Sequence, residues 1–318
     1  MGDAVLEVGG LRVRFGAVEA VRGASLEVRR GETHCLVGES GCGKSVTALA
    51  VMGLLARGAT RSAGRMRFQG VDIAGLSDRA MGRLRGDRIG MIFQEPMTSL
   101  NPAYTIGSQM TEVFRRHRGG DRRLAAERAA ELLGRVGIAN PGMRLGQFPH
   151  QLSGGLRQRV MIGMALMCGP ELLIADEPTT ALDVTVQAGI LRLLARLQAE
   201  MGLALLLITH DLGVVARVGH RVSVMYAGEV IESAAVGELF AHPAHPYTRG
   251  LLASVPVPGK VLRGGRLGSI PGTVPRIPAG FAGCAFRDRC AHATPACADD
   301  VPWQERVPGH GYRCLLPA

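Results

Sequence analysis

The sequence predicts an α/β fold built on a largely parallel sheet, with an antiparallel β portion, a helical portion and a small irregular tail. Three observations predict it. Short apolar runs of strand type alternate with stretches of helical periodicity. A glycine-rich loop, Gly38-Glu39-Ser40-Gly41-Cys42-Gly43-Lys44-Ser45, lies between a buried strand pattern and a helix pattern. Beyond about residue 236 the periodicity fades, and 255–283 is rich in Pro and Gly.

Residues 5–30 alternate apolar and polar side chains (Leu6, Val8, Leu11, Val13, then Ala24, Leu26, Val28), a strand pattern with Gly9-Gly10 as its expected turn. His34 to Val37 reads as a short buried strand, and about 43–55 as a helix. Strands are expected at 64–69 and 89–93. From about 105 to 168 the spacing is helical; Ala125 to Val136 shows apolar steps of three and four. A buried strand over 171–175, a helix over 184–200, a strand over 203–208 and a helix near 211–218 continue the alternation. Residues 221–226 and 228–232 form a hairpin pattern around Ala227-Gly228. The expected organisation is a domain over 1–235, its helical subdomain about 97–168, followed by a C-terminal extension over 236–318.

Hydrophobic residues make up 47% and charged residues 20%, as in ordinary globular chains. No apolar run approaches the roughly 18 residues of a membrane span. Acidic Asp3 and Glu7 stand where a signal peptide would be basic and then apolar. These features lead us to expect a cytoplasmic protein held at a membrane only through partners. The net charge of +10 is compatible with a nucleic-acid partner or with a solvated, Arg-rich surface. The charge is spread along the chain and aromatics are 4%, which disfavours base stacking, so no nucleic-acid partner is expected. Of 37 basic residues only Lys44 and Lys260 are lysines. A lysine at 44 in so arginine-rich a chain indicates that a compact ammonium is wanted there.

Residues Gly38 to Ser45 fit G-x-x-x-x-G-K-[ST]. Glycines at Gly38, Gly41 and Gly43 let backbone N–H groups of the loop, including Glu39, Ser40 and Cys42, turn toward phosphate oxygens, and the following helix N-terminus adds positive potential. Lys44 would neutralise β- and γ-phosphates, and the Ser45 hydroxyl would ligate Mg²⁺. Cys42 reads as a small loop residue rather than a reactive thiol. Leu172-Leu173-Ile174-Ala175-Asp176-Glu177 is an apolar strand ending in two carboxylates. Asp176 suits Mg²⁺ held through water, and Glu177 suits a base acting on the attacking water.

Taken with Leu152-Ser153-Gly154-Gly155 and Leu156-Arg157-Gln158-Arg159, these motifs resemble the ABC ATPases, whose signature motif has this form and this place in the chain. Other segments fall in the matching order. Phe93-Gln94-Glu95-Pro96 resembles the Q-loop, Leu182-Asp183 the D-loop, His210 the switch histidine, and Phe15 the aromatic that stacks on adenine. The resemblance covers about residues 5–255. It implies an α/β P-loop ABC-type ATPase with antiparallel β and helical subdomains and a small cysteine-containing C-terminal domain. It further implies that two such domains meet head to tail, so that Ser153, Gly154 and Gly155 touch the nucleotide of the partner. Glu177 would then be the base, His210 would hold the γ-phosphate and water, and Gln94 would help bind Mg²⁺ and sense the γ-phosphate.

Within that family, Gln94 to Pro102, Phe148-Pro149-His150-Gln151, Val160 to Leu166, and above all His245-Pro246-Tyr247-Thr248-Arg249-Gly250-Leu251-Leu252 resemble ATPase subunits of oligopeptide and dipeptide importers. Leu156 and Val160 to Ala165 resemble the D-type subunit. The resemblance therefore implies a heterodimer with a related F-type ATPase, two transmembrane permease subunits and an external substrate-binding protein, with this chain on the cytoplasmic face of the membrane. Nickel and glutathione importers share the branch; a soluble, non-transport ABC ATPase is the reading from another class.

Cys284, Cys290, Cys297 and Cys314 have spacings unlike the usual zinc or ferredoxin runs. A tail with little core gains from a crosslink, and four thiolates can take Zn²⁺ or a [4Fe–4S] cluster. The resemblance to the cysteine-containing tail of these importer subunits implies the cluster, with zinc as the alternative.

Overall fold

The computed structural model describes residues 3–94, 99–180, 182–255 and 268–317. Glu95 to Thr98 of the expected Q-loop segment, Lys260 and part of the Pro/Gly-rich stretch lie outside the described residues. The chain forms two compact units. One comprises Met1–Val5, Val28–Thr33 and Gly75–Ile208; the other comprises Leu6–Glu27, His34–Ala74 and Thr209–Ala318.

In the second unit, β1 (Ala4–Phe15) and β2 (Val18–Arg29) share a sheet with β4 (Ala59–Ser62), β5 (Arg65–Phe68) and β6 (Val71–Asp72). The expected turn at Gly9-Gly10 is corrected here: β1 runs straight through those residues, and the chain turns at Gly16-Ala17. Gly10, at φ +63, marks a change of partner instead. Leu6 to Gly9 pair with β5, whereas Arg12 to Phe15 pair with β4. A left-handed residue interrupts the ladder at that switch, and glycine takes it without a Cβ penalty.

The same unit holds β3 (Thr33–Val37), buried throughout, leading into α1 (Lys44–Met52). β3 runs parallel to β10 (Arg221–Tyr226), which turns back as β11 (Glu229–Ala235). Ala227 and Gly228 both have positive φ, the tight hairpin turn that their residue types predict. α8 (Leu212–Val218), α9 (Val236–Ala241) and α10 (Pro246–Ser254) follow the strand alternation. The tail, expected to be irregular, adds regular structure: β12 (Gln304–Val307) pairs with β13 (His310–Tyr312), and β13 pairs with β11 through Glu232↔Tyr312 and Ser233↔Gly311.

The first unit carries β7 (Ile89–Ile92), β8 (Leu172–Asp176) and β9 (Ala204–Thr209), three parallel neighbours. β8 and β9 are buried along their whole length, which explains why their sequences are continuous apolar runs rather than alternating ones. Helices α2 (Asp78–Leu84), α3 (Ile106–Arg118), α4 (Arg122–Arg135), α5 (Pro141–Leu145), α6 (Gly154–Ala165) and α7 (Val184–Met201) complete it. α4 buries Ala125, Ala129, Leu132 and Leu133, the stripe that the three-and-four spacing predicts. Among the described residues no helix is long and apolar enough to cross a membrane.

Candidate active site

The glycine-rich loop leaves β3 and enters α1 at Gly43, as the sequence predicts. Its glycines are required by close approach. A Cβ on Gly38 would run into the Met225 carbonyl oxygen, and one on Gly43, at φ +108, would stand 2.6 Å from the Ala20 carbonyl oxygen. The loop is therefore pressed against the backbone of β2 and β10, and Gly228 N–H donates to the Cys42 carbonyl at 2.8 Å. Lys44 is only 4% exposed. Its ammonium donates to the carbonyls of Gly38 (2.8 Å) and Glu39 (3.0 Å), which hold a buried cation at the loop. Burial pushes the Cys42 thiol above its ordinary range, against the pull of Lys44, in keeping with a packing role. Ser45 is half-buried in the first turn of α1, and Phe15 is half-buried at the end of β1. His210 is exposed just ahead of α8, which Asp211 caps by accepting from Gly213 N–H at 2.7 Å.

In the first unit β8 delivers Asp176, 5% exposed, and then Glu177. Glu177 has φ +44, a conformation that costs a side-chain-bearing residue about 1–3 kcal/mol. Its N–H donates to the Ile208 carbonyl at 3.0 Å. Its Oε2 accepts from the Thr180 hydroxyl at 2.8 Å and from Gln94 Nε2 at 3.4 Å. The structure thus brings together Gln94 and Glu177, which lie 83 residues apart in sequence. Thr180 is a further holder of this carboxylate that sequence reasoning did not single out. A carboxylate fixed by two donors in a strained turn is an oriented acceptor, the form that a general base takes.

Ser153 caps α6, accepting from Leu156 N–H, and is itself exposed. Gly154 and Gly155 start that helix. A Cβ on Gly155 would come 2.8 Å from Val186 of α7, so glycine permits the two helices to approach. Asp183 caps α7 in turn through Val186 N–H at 2.9 Å. The signature segment and the Asp183 turn are therefore neighbours, both at helix N-termini suited to anions.

Cys284, Cys290, Cys297 and Cys314 line one cavity of about 110 Å³ together with His245, Phe286 and His292. Burial pushes the Cys284 thiol up to about 11, and the other three cysteines add to the shift. Cys314 is raised for the same reasons. Among the described residues no three His, Cys, Asp or Glu side chains form a group that could hold a metal ion. The four cysteines expected as iron–sulfur or zinc ligands thus converge on one cavity as thiols, with no metal-holding group among the described residues.

The segment His245-Pro246-Tyr247-Thr248, singled out by resemblance, is joined here by Glu232 and His310, which the sequence reading missed. His245 caps α10, its Nδ1 accepting from Tyr247 N–H at 3.0 Å, with Pro246 in the first turn. The Tyr247 hydroxyl accepts from Glu39 N–H in the glycine-rich loop at 3.0 Å. Glu232, 0% exposed, accepts from Ala244 N–H (2.7 Å), His245 N–H (2.9 Å) and His310 Nε2 (2.8 Å). The only sequence signal for this network was the His-Pro-Tyr-Thr segment.

Residues 21–180 match the ABC transporter family, and 231–297 match the oligopeptide/dipeptide transporter C-terminal region. A putative peptide import ATP-binding protein of Brucella melitensis is 52% identical over 98% of this chain and 96% of its own length. The dipeptide transport ATP-binding protein DppD of Bacillus subtilis is 48% identical over 99% of this chain and 95% of its own length. Among solved structures, a component of the cbiONQ ABC transporter complex of Clostridium perfringens superposes with a TM-score of 0.66 at 29% identity, over 76% of this chain and 92% of that one. A dimeric ATP-binding cassette in a post-hydrolysis state with ADP and phosphate gives 0.65 at 27% identity, over 73% and 98%.

Proposed function

Because this chain belongs to the ABC transporter family of ATP-binding subunits, we propose that it hydrolyses ATP to drive import of dipeptides or oligopeptides, bound to the cytoplasmic face of the membrane. The observation that carries the choice of cargo is the match of 231–297, behind the ATPase portion, to the C-terminal region of oligopeptide and dipeptide transporters. Nickel, glutathione and non-transport readings have no comparable support.

In this reading the loop from Gly38 to Gly43 cradles phosphates, Lys44 neutralises them and Phe15 stacks on adenine. Ser45, Gln94 and Asp176 offer the hard oxygen ligands that Mg²⁺ prefers, and the ion when bound would draw charge from the phosphates. Glu177 takes the proton of the attacking water, aided by the orientation that Gln94 and Thr180 impose on it. His210 holds the γ-phosphate and the water. Ser153, Gly154 and Gly155, with Asp183 beside them, serve the nucleotide of a second ATPase subunit. That second subunit is taken to be a related F-type chain forming a heterodimer, supported by Leu156 and the residues after it. Two permease subunits and an external binding protein complete the importer. The C-terminal extension is taken to begin near 236.

For the tail we propose a structural [4Fe–4S] cluster. What supports it is the convergence of four cysteines on one cavity. One zinc ion on the same four thiolates is the alternative. Four cysteine thiolates are the ligand set that a [4Fe–4S] cluster takes.

The test of the hydrolytic reading is Glu177→Gln in the assembled transporter. Removing the base should lower the ATPase rate by about 10²-fold or more while ATP still binds, general-base catalysis contributing about 10²–10⁴. Turnover within a few-fold of the parent would remove Glu177 from its role.

A further inference from the structure

The glycine-rich loop contains an acidic side chain, Glu39, one residue into a loop meant for polyanions. An unbalanced carboxylate there would repel phosphate oxygens and would pull at the loop. In the structure it is not unbalanced. Arg289, 250 residues later, meets it with both arms of the guanidinium: Nη1 to Oε2 at 2.7 Å and Nη2 to Oε1 at 3.0 Å. The arginine side chain is 7% exposed and the glutamate 30%. A two-armed, largely desolvated pair of this kind is among the stronger ion pairs, and its geometry is one that lysine cannot reproduce.

Arg289 is itself held. Its Nε donates to the Pro271 carbonyl at 2.7 Å, and Nη2 donates to the Ile270 and Gly272 carbonyls at 3.2 and 3.3 Å. Nη1 also reaches the Tyr226 hydroxyl at 3.4 Å, and the guanidinium stands about 6 Å from the ring centres of Tyr226 and Phe286. Those rings pack edge-on with Tyr247. Glu39 is thus gripped at three points: its carboxylate by Arg289, its N–H by the Tyr247 hydroxyl, and its carbonyl by Lys44. Two of the three grips come from beyond residue 245, the part of the chain for which the ATPase chemistry has no other use. Burial pushes the Tyr247 phenol far above its ordinary range, so it stays a neutral hydroxyl able to accept from Glu39 at any working pH.

We propose that Arg289 and Tyr247 are positioning residues for the phosphate loop, through which the C-terminal extension sets the affinity of this chain for ATP. Arg289 neutralises and immobilises the Glu39 carboxylate, and Tyr247 fixes the backbone at the same residue. Neither touches nucleotide. The inference rests on the reading of this loop as the ATP site, and the experiment separates the two.

The experiment is titration of the full-length chain with Mg·ATP by calorimetry, for the parent, Arg289→Ala, Arg289→Lys, Glu39→Gln, and each arginine variant combined with Glu39→Gln. The parent must bind ATP; if it does not, the ATP-site reading falls and the inference with it. Arg289→Ala should raise Kd about tenfold, the scale of one charge-assisted interaction lost. Arg289→Lys, which keeps the charge but loses the fork, should raise it about threefold. Combining either with Glu39→Gln should return Kd to the value of Glu39→Gln alone, because no uncompensated carboxylate is left. A tail that matters only as packing would give the same loss with or without Glu39, and that result would overturn the proposal, as would parental affinity in Arg289→Ala. If Arg289→Ala does not fold, as its thermal melt would show, the lysine pair carries the same test.

Discussion

Two buried histidines make the stability of this protein depend on pH in a way the structure specifies. Burial, with a smaller push from nearby Arg249, lowers the pKa of His245 to about 3. His34 is lowered to about 4, again chiefly by burial, with a smaller push from Arg221. His245 is neutral by geometry as well. His245 Nδ1 accepts from Tyr247 N–H and so carries no proton, while His34 donates Nδ1–H to the Glu27 carbonyl at 2.7 Å and faces Ser223 Oγ through Nε2. In the unfolded chain each would titrate near 6.5. The sign follows. Above pH 6.5 neither state is protonated and stability is at its full value. As pH falls below 6.5 the unfolded chain takes up two protons that the folded chain refuses, so stability is lost progressively toward the folded values of about 3 and 4.

Between pH 7 and pH 5 the loss is about 2 kcal/mol for each histidine, or about 4 together, from the difference in proton uptake of the two states. The assay is urea unfolding followed by circular dichroism at both pH values, without nucleotide. His245→Asn keeps a side-chain acceptor at the α10 cap, since asparagine is a good N-cap, but removes the titration. It should therefore lose about half of the pH dependence. Equal unfolding free energies at pH 7 and pH 5 in the parent would refute the reasoning, and an unchanged slope in His245→Asn would remove His245 from it.

Gly43→Ala should weaken ATP binding by about 100-fold or more, because a left-handed residue would acquire a Cβ 2.6 Å from the Ala20 oxygen and the loop would have to move; filter binding of labelled ATP reads it, and parental affinity would show that the loop has slack. Oxygen-free purification should yield about four irons and four sulfides per chain, lost in Cys290→Ser; one zinc and no iron would replace the cluster, and no metal at all would leave the cysteines as cavity lining.

What could be read from sequence was what is local. The glycine-rich loop announces itself because eight adjacent residues do its work and its flanking strand and helix are regular. The carboxylates of Asp176 and Glu177 are legible because a wholly buried strand must be a continuous apolar run that ends where the charges begin. Gly9-Gly10 misled because a glycine pair is one of the marks of a turn, whereas here it lets one strand exchange partners. Thr180 went unnoticed because the second of two threonines behind Pro178 has many possible uses, and only the fold shows its hydroxyl on Glu177.

The tail was the least legible part, for a reason that its contacts make plain. Glu232 lies in a strand whose alternation leaves a glutamate looking solvated, yet it is fully buried and accepts from three donors. One donor, His310, arrives 78 residues later on β13; the other two fix the approach to α10. His245 then caps that helix and Tyr247 is presented to Glu39. A buried carboxylate with this many donors is costly to form and more costly to leave half satisfied, so strand, histidine and helix start must be in place together. The His-Pro-Tyr-Thr segment is therefore more than a marker of relationship. It is the part of the extension that converts a buried hydrogen-bond network into a contact with the phosphate loop, and no periodicity in the sequence encodes a contact made across 208 residues.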